Sequence, residues 1–141
     1  MTCVTRLAET ISKGAIYNIL KAERHMHETE NAYALFSRVI SGTAQLWEHI
    51  CNEKPLAHSI TYIVDYDSGK RVLFVAALGG ESHRLWAESA DKAWEEFAMA
   101  IGADELLTCG RLGWSRTMEK LQWGKRSIVW VKPIHGGVDG E

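Results

Sequence analysis

The chain has 141 residues, with 46% hydrophobic and 24% charged side chains, which fits one domain with a core of its own. A net charge of −2 and a pI near 6.3 argue against a dedicated polyanion binder. No run of about 18 apolar residues and no basic-then-apolar leader is present, so neither a membrane span nor a signal peptide is expected. Three cysteines, Cys3, Cys51 and Cys109, are odd in number and lack CxxC spacing, which favours free thiols and a cytoplasmic setting.

In chain order, the first forty residues read as helical. Residues 5–12 carry Leu7, Ala8 and Ile11 at helical spacing, Gly14 interrupts, and residues 15–25 resume with Ile16, Ile19 and Leu20. Thr29 offers a cap before Ala32, Tyr33, Phe36, Val39 and Ile40, and Gly42 a stop. His25-Met26-His27-Glu28 has two imidazoles but no third donor at suitable spacing, so a solvated surface is favoured over a metal site.

From Thr43 the period changes. Ala44, Leu46 and Glu48 alternate with Gln45, Trp47 and His49, as in a strand, with a helix through Ile50 as the alternative. Residues 52–55 form a turn. Ile60, Tyr62, Val64 and Tyr66 then share one strand face, Asp67-Ser68-Gly69-Lys70 turns the chain, and residues 71–78 return as a strand. The returning strand is apolar without alternation, which places it centrally with both faces covered.

Gly79 and Gly80 are expected to end that strand. Residues 81–89, with His83, Arg84 and Trp86, read as a polar connector to an amphipathic helix from Asp91 through Ala93, Trp94, Phe97, Ala98 and Ile101, closed by Gly102. Residues 105–108 are a strand, and Trp114, Met118 and Leu121 at i, i+4 and i+7 mark a short helix stopped by Gly124. Residues 127–132 have strand alternation, and the tail from Pro133 is glycine-rich. The whole reads as a single α+β domain with an α/β-like core: helices, then a central mixed sheet flanked by helices, residues 1–14 and 133–141 being peripheral.

Over residues 15–135 this order resembles the GNAT-type N-acetyltransferase fold, and within it the small GNAT-like proteins of tailed bacteriophages. The resemblance is carried by the apolar strand into Leu78-Gly79-Gly80, by Trp86, by the Trp94–Phe97 helix into Gly102, and by Gly110-Arg111-Leu112-Gly113-Trp114-Ser115-Arg116 with Trp123-Gly124. It implies that acetyl-CoA would bind along the central strand, with its pyrophosphate on a loop of the form Q/R-x-x-G-x-G/A. Residues 78–86 lack that spacing, and Glu81 would repel phosphates; Leu78, Gly79, Gly80, Arg84, Arg111 and Arg116 are the positions that would meet the coenzyme. Many such enzymes protonate the leaving thiolate with a tyrosine on the last helix, and residues 112–123 have none. Cys109, Ser115 and Thr117 are the nearby acid candidates, and Glu48, His49 and Glu81 the conceivable bases.

Three functions follow. The missing loop and missing acid favour a non-catalytic interaction or virion-assembly protein, without a cofactor or metal, whose partners are other proteins, phage components or a second copy. A working acetyl-CoA-dependent N-acetyltransferase is the alternative. The weaker third is a nucleic-acid-binding factor using Arg111, Arg116, Lys120, Lys125, Arg126 and Lys132 with Trp114, Trp123 and Trp130. The apolar positions of those tryptophans favour a core role instead.

Overall fold

The computed structural model describes residues 2–26, 29–109, 115–126, 130 and 132–134. Its centre is a five-stranded sheet in the order β1-β2-β3-β4-β5, comprising β1 (Cys3–Leu7), β2 (Gln45–Cys51), β3 (Lys54–Asp65), β4 (Arg71–Gly80) and β5 (Glu105–Thr108). Neighbours are antiparallel except β4 and β5, which run parallel. Helices α1 (Lys13–Ala22) and α2 (Ala32–Ile40) cover one face, and α3 (His83–Ala100) covers the other. A short α4 (Ser115–Lys120) follows β5. The expected α+β class and the central place of β4 hold, whereas the chain opens with a strand and not with helices.

The N-terminal residues correct the helical reading. Cys3-Val4-Thr5-Arg6-Leu7 is the edge strand β1, paired to β2 from Cys3↔Cys51 to Leu7↔Trp47. Val and Thr suit an extended backbone, and the helical spacing of Ala8 and Ile11 reflects their packing on the α1–α2 core instead. The same pairing overturns the expectation of free thiols at two positions. Cys3 and Cys51 face each other with Cα atoms 4.1 Å apart and are joined as a disulfide, while Cys109 remains free and exposed. Pairs 48 residues apart have no short motif to announce them. Cysteine usage therefore no longer argues for a compartment.

Gly14 sits inside α1, not at a break, because Ser12 caps the helix with its hydroxyl on the Ala15 N–H at 3.0 Å. Asn31, not Thr29, caps α2, accepting from Ala34 N at 2.8 Å. Between β2 and β3, Asn52 and Glu53 both have positive φ, 51° and 66°, so the connection is a two-residue turn of the type that matches strand twist.

The largest difference concerns α3. The helix begins at His83, where a polar connector was expected up to Asp91. Trp86, Ala90, Trp94 and Ala98 recur at i+4 and form one buried row against Trp47, Leu73 and Val75 of the sheet. Trp47 and Trp86 thus both belong to the core. No helix among the described residues is long and apolar enough to cross a membrane. The strand expected over residues 127–132 lies mostly outside the described residues; within it, Trp130 is 88% exposed.

Candidate functional site

The parallel pairing of β4 with β5 runs from Val72↔Glu105 to Val75↔Thr108 and, among the described residues, stops there. Thr108 Oγ1 donates to the Val75 carbonyl at 2.9 Å and closes the last step of the ladder. Beyond it β4 continues through residues 76–80 whereas β5 ends at Thr108, so among the described residues the pairing gives way to a split. On its other side this stretch of β4 is bonded to β3, through Ile60↔Ala77, Ser59↔Leu78, His58↔Gly79 and Ala57↔Gly80. Among the described residues, no strand is bonded to the other edge of this stretch.

The end of this edge is tightly built. A Cβ on Gly79 would stand 2.0 Å from the Asn18 carbonyl oxygen of α1, and one on Gly80 would stand 2.4 Å from Ala57 Cβ. Both glycines thus serve close approach: α1 lies directly on Gly79, and Gly80, at φ +146°, fits beside β3. Leu78 turns to the other face and packs into the cluster beneath α3. Only Glu81 and Ser82 then separate β4 from α3. Glu81 N–H donates to Leu56 O at 3.2 Å, and its carbonyl accepts from Trp86 Nε1 at 2.8 Å, so the connection is pinned at both ends. Ser82 is left-handed, at φ 59° and ψ 43°, and caps α3 with no side-chain bond. A six-residue glycine loop has no room here; the first turn of α3 follows directly, and its Leu85 N–H already donates to Ser82 O at 2.9 Å.

Around that turn the basic candidates separate. Arg84 is exposed on the first turn of α3, and Arg116 is exposed on α4. His83 Nε2 lies 3.4 Å from Thr117 Oγ1, which brings the starts of α3 and α4 side by side. Thr117 therefore belongs to this junction. Arg111 lies outside the described residues, and Ser115 is placed only as the first residue of α4. Arg116 forms no ion pair with Glu95 or Glu96 among the described residues. Arg126 does pair, with Glu105, which also holds Lys70 at 2.8 Å; the Arg126 and Lys70 bonds together draw the Glu105 carboxyl down to about 2.

The base candidates lie elsewhere. His49 is fully buried between the sheet and α3, stacked on Trp86 at 4.7 Å, with Thr5 Oγ1 at 2.8 Å from Nδ1 and Ser59 Oγ at 2.9 Å from Nε2. Burial, and secondarily the neighbouring His58, depresses its pKa to about 3, so it stays neutral. His58 is buried on the opposite face, bonded to Asn18 through Nδ1 at 3.0 Å, and its Nε2 has no partner. Burial lowers its pKa as well, against the pull of Glu48. Glu48 is held by Arg6 at 3.2 Å. Neither His49 nor Glu48 lies on the split.

On the α1–α2 face, a second arrangement went unseen in the sequence. Tyr62 donates its hydroxyl hydrogen to Glu30 Oε2, and Arg38 lies over its ring, 3.8 Å from the centroid. Burial, and then the Glu30 bond, raises the Tyr62 phenol above its usual value. Tyr62 stood in the alternating row with Tyr66 and gave no other signal, and Glu30 lies in a loop. A cavity of about 230 Å³ opens here, lined by Thr29, Glu30, Tyr62, Val64, Tyr66, Phe74, Leu107 and Cys109. A larger depression of about 530 Å³ lies at the opposite sheet edge, on Thr2, Val4, Arg6, Ile50, Asn52 and Glu53. Among the described residues no three His, Cys, Asp or Glu side chains could hold a metal ion, and His27 and Glu28 fall outside them.

No protein-family model and no curated protein matches the sequence. Solved structures do match in fold. The chain superimposes on the crystal structure of a probable acetyltransferase with a TM-score of 0.70 at 13% identity, covering 95% of this chain and 98% of the other. It is similar to glucosamine-6-phosphate N-acetyltransferase from Arabidopsis thaliana, with a TM-score of 0.64 at 15% identity over 94% and 99% of the two chains. A Clostridium acetobutylicum predicted acetyltransferase, solved with acetyl-CoA, matches with a TM-score of 0.65 at 11% identity over 94% and 96%. The fold is that of the GNAT acetyltransferases.

Proposed function

We propose that the chain is an acetyl-CoA-dependent N-acetyltransferase whose coenzyme lies in the split between β4 and β5. The observation that carries this reading is that, among the described residues, no strand pairs with residues 76–80 on the β5 side, next to the start of α3. An amide-bearing pantetheine arm can bond to such an edge as an added strand would. The positive end of the α3 dipole would face the pyrophosphate, with Arg84 and Arg116 supplying positive charge in place of a glycine-rich loop. The likeness in fold to acetyltransferases, one of them solved with acetyl-CoA, supports the same reading.

A second reading is favoured by one specific feature. The Glu81–Ser82 connection is too short for the phosphate loop and places a carboxylate beside it, as in an interaction protein that has lost its coenzyme. Calorimetry separates the two. Acetyl-CoA binding at micromolar concentration, weakened about tenfold in Arg84→Ala, would favour the enzyme. No heat with millimolar acetyl-CoA would leave the interaction protein.

A further inference from the structure

Among the described residues, no helix covers the α1–α2 face of the sheet over β5. Phe74 and Leu107 are register partners there; Phe74 is almost buried, whereas Leu107 is 37% exposed. Tyr62 meets Phe74 edge-on at 5.3 Å, and Tyr66 at the strand end is 47% exposed. With Val64 these side chains make an apolar and aromatic trough. Cys109, the residue after Thr108, also lines it, at the end of the β4–β5 pairing. Glu30 lines it too, its Oε2 fixed by the Tyr62 hydroxyl.

The charges are placed unevenly. Arg38, the cation nearest Tyr62, is spent on the face of that ring and on the Thr43 carbonyl at 3.2 Å. Glu30 is the one carboxylate lining the trough. A carboxylate held at one oxygen still offers the other to a cation. A phosphate or polyhydroxyl body would find few partners along the aromatic walls and would leave its own polar groups unsatisfied.

We infer that this trough takes the acyl acceptor, and that the acceptor is a primary amine carried on an apolar or aromatic body. Its ammonium sits against Glu30 and its body lies along Tyr62, Tyr66, Phe74 and Leu107. The assignment of a reaction to this trough rests on the acyl-transfer reading above; the binding claim does not. In that reaction the ammonium releases a proton, and the nitrogen lone pair forms a C–N bond to the thioester carbonyl carbon. The C–S bond breaks, the nitrogen gives up a second proton as the amide forms, and the sulfur leaves as thiolate and takes up one of the two. One proton is released per ammonium acylated.

Calorimetry on the whole chain tests the assignment, with 2-phenylethylamine and glucosamine 6-phosphate as probes and acetyl-CoA titrated separately. The expected result is that 2-phenylethylamine binds at least about tenfold more tightly than the sugar phosphate, and that Glu30→Gln weakens it about tenfold. Tyr66→Ala, at an exposed position that cannot unfold the core, should weaken it severalfold. Acetyl-CoA affinity should be unchanged in both variants. Absence of 2-phenylethylamine binding, equal or tighter binding of the sugar phosphate, or indifference to Glu30→Gln would overturn the assignment. Amine binding that depends on Glu30 without any acetyl-CoA binding would uphold the trough and sink only the acyl-transfer reading.

Discussion

Gly79 of β4 lies directly under the backbone carbonyl of Asn18 in α1, so closely that a Cβ would come within 2.0 Å of its oxygen. The two residues set how near α1 can stand to the sheet. Because the obstructing atoms are backbone, a side chain at position 79 cannot be accommodated by a rotamer change. Gly79→Ala should cost about 3 kcal/mol of unfolding free energy, near the top of the range for overpacking. Gly124→Ala, where nothing lies within 4 Å, should stay within about 0.5 kcal/mol. Urea unfolding of the two variants beside the parent chain checks both.

The Cys3–Cys51 disulfide ties the edge strand to β2 and closes a loop of 48 residues in the unfolded chain. Its reduction should lower stability by about 2–4 kcal/mol, chiefly by freeing that loop. The midpoint of thermal unfolding should fall in a reducing agent for the parent chain and be insensitive to it in Cys3→Ser. An unchanged midpoint on reduction would mean that the bond does not form.

Two buried histidines determine the response to acid. His49 has a folded pKa of about 3, and that of His58 is also lowered, so below about pH 6.5 the unfolded chain binds protons that the folded chain refuses. Stability must then fall as pH drops, by up to about 1.4 kcal/mol per unit for each histidine, fading for His49 near pH 3. Glu105, also depressed, contributes stability above its unfolded value that is lost as pH falls toward 2, so it steepens the slope only below about pH 4.5. Denaturation at pH 7, 6 and 5 should show His49→Gln with a shallower slope than the parent in that interval.

The β2–β3 turn carries a non-glycine residue at φ 66°, Glu53. Asn followed by Gly is the preferred pair for such a turn, so Glu53→Gly should gain about 0.5–1 kcal/mol by relieving the left-handed backbone. Melting of the variant measures it, and a loss of stability would show that the Glu53 side chain contributes more than its backbone costs.

The same turn shows what could be read from residues alone. The β3–β4 hairpin was legible because Tyr62, Val64 and Tyr66 alternate and Asp67-Ser68-Gly69-Lys70 breaks the run. Asn52-Glu53 lacks the glycine that announces a tight hairpin, and Pro55, an extended residue paired with Ile50, extended the apparent turn. β1 was hidden because it is a short edge strand whose Val4 and Leu7 are half exposed, giving no contrast between faces. The start of α3 was hidden because Ser82 supplies no capping bond and the first residues after it are polar. Among the candidate residues, Arg84 and Arg116 stand out in the sequence by their place after strands, whereas Glu30 and Tyr62, 32 residues apart, meet only once α2 has docked.

The joint at Glu81–Ser82 also governs motion. With one end fastened to Leu56 and the other to Trp86, the strand and the long helix move as one piece, like a spoke and its rim. If the proposed coenzyme enters between the strands, no loop can be drawn around it there, and the slot has to be the right width beforehand.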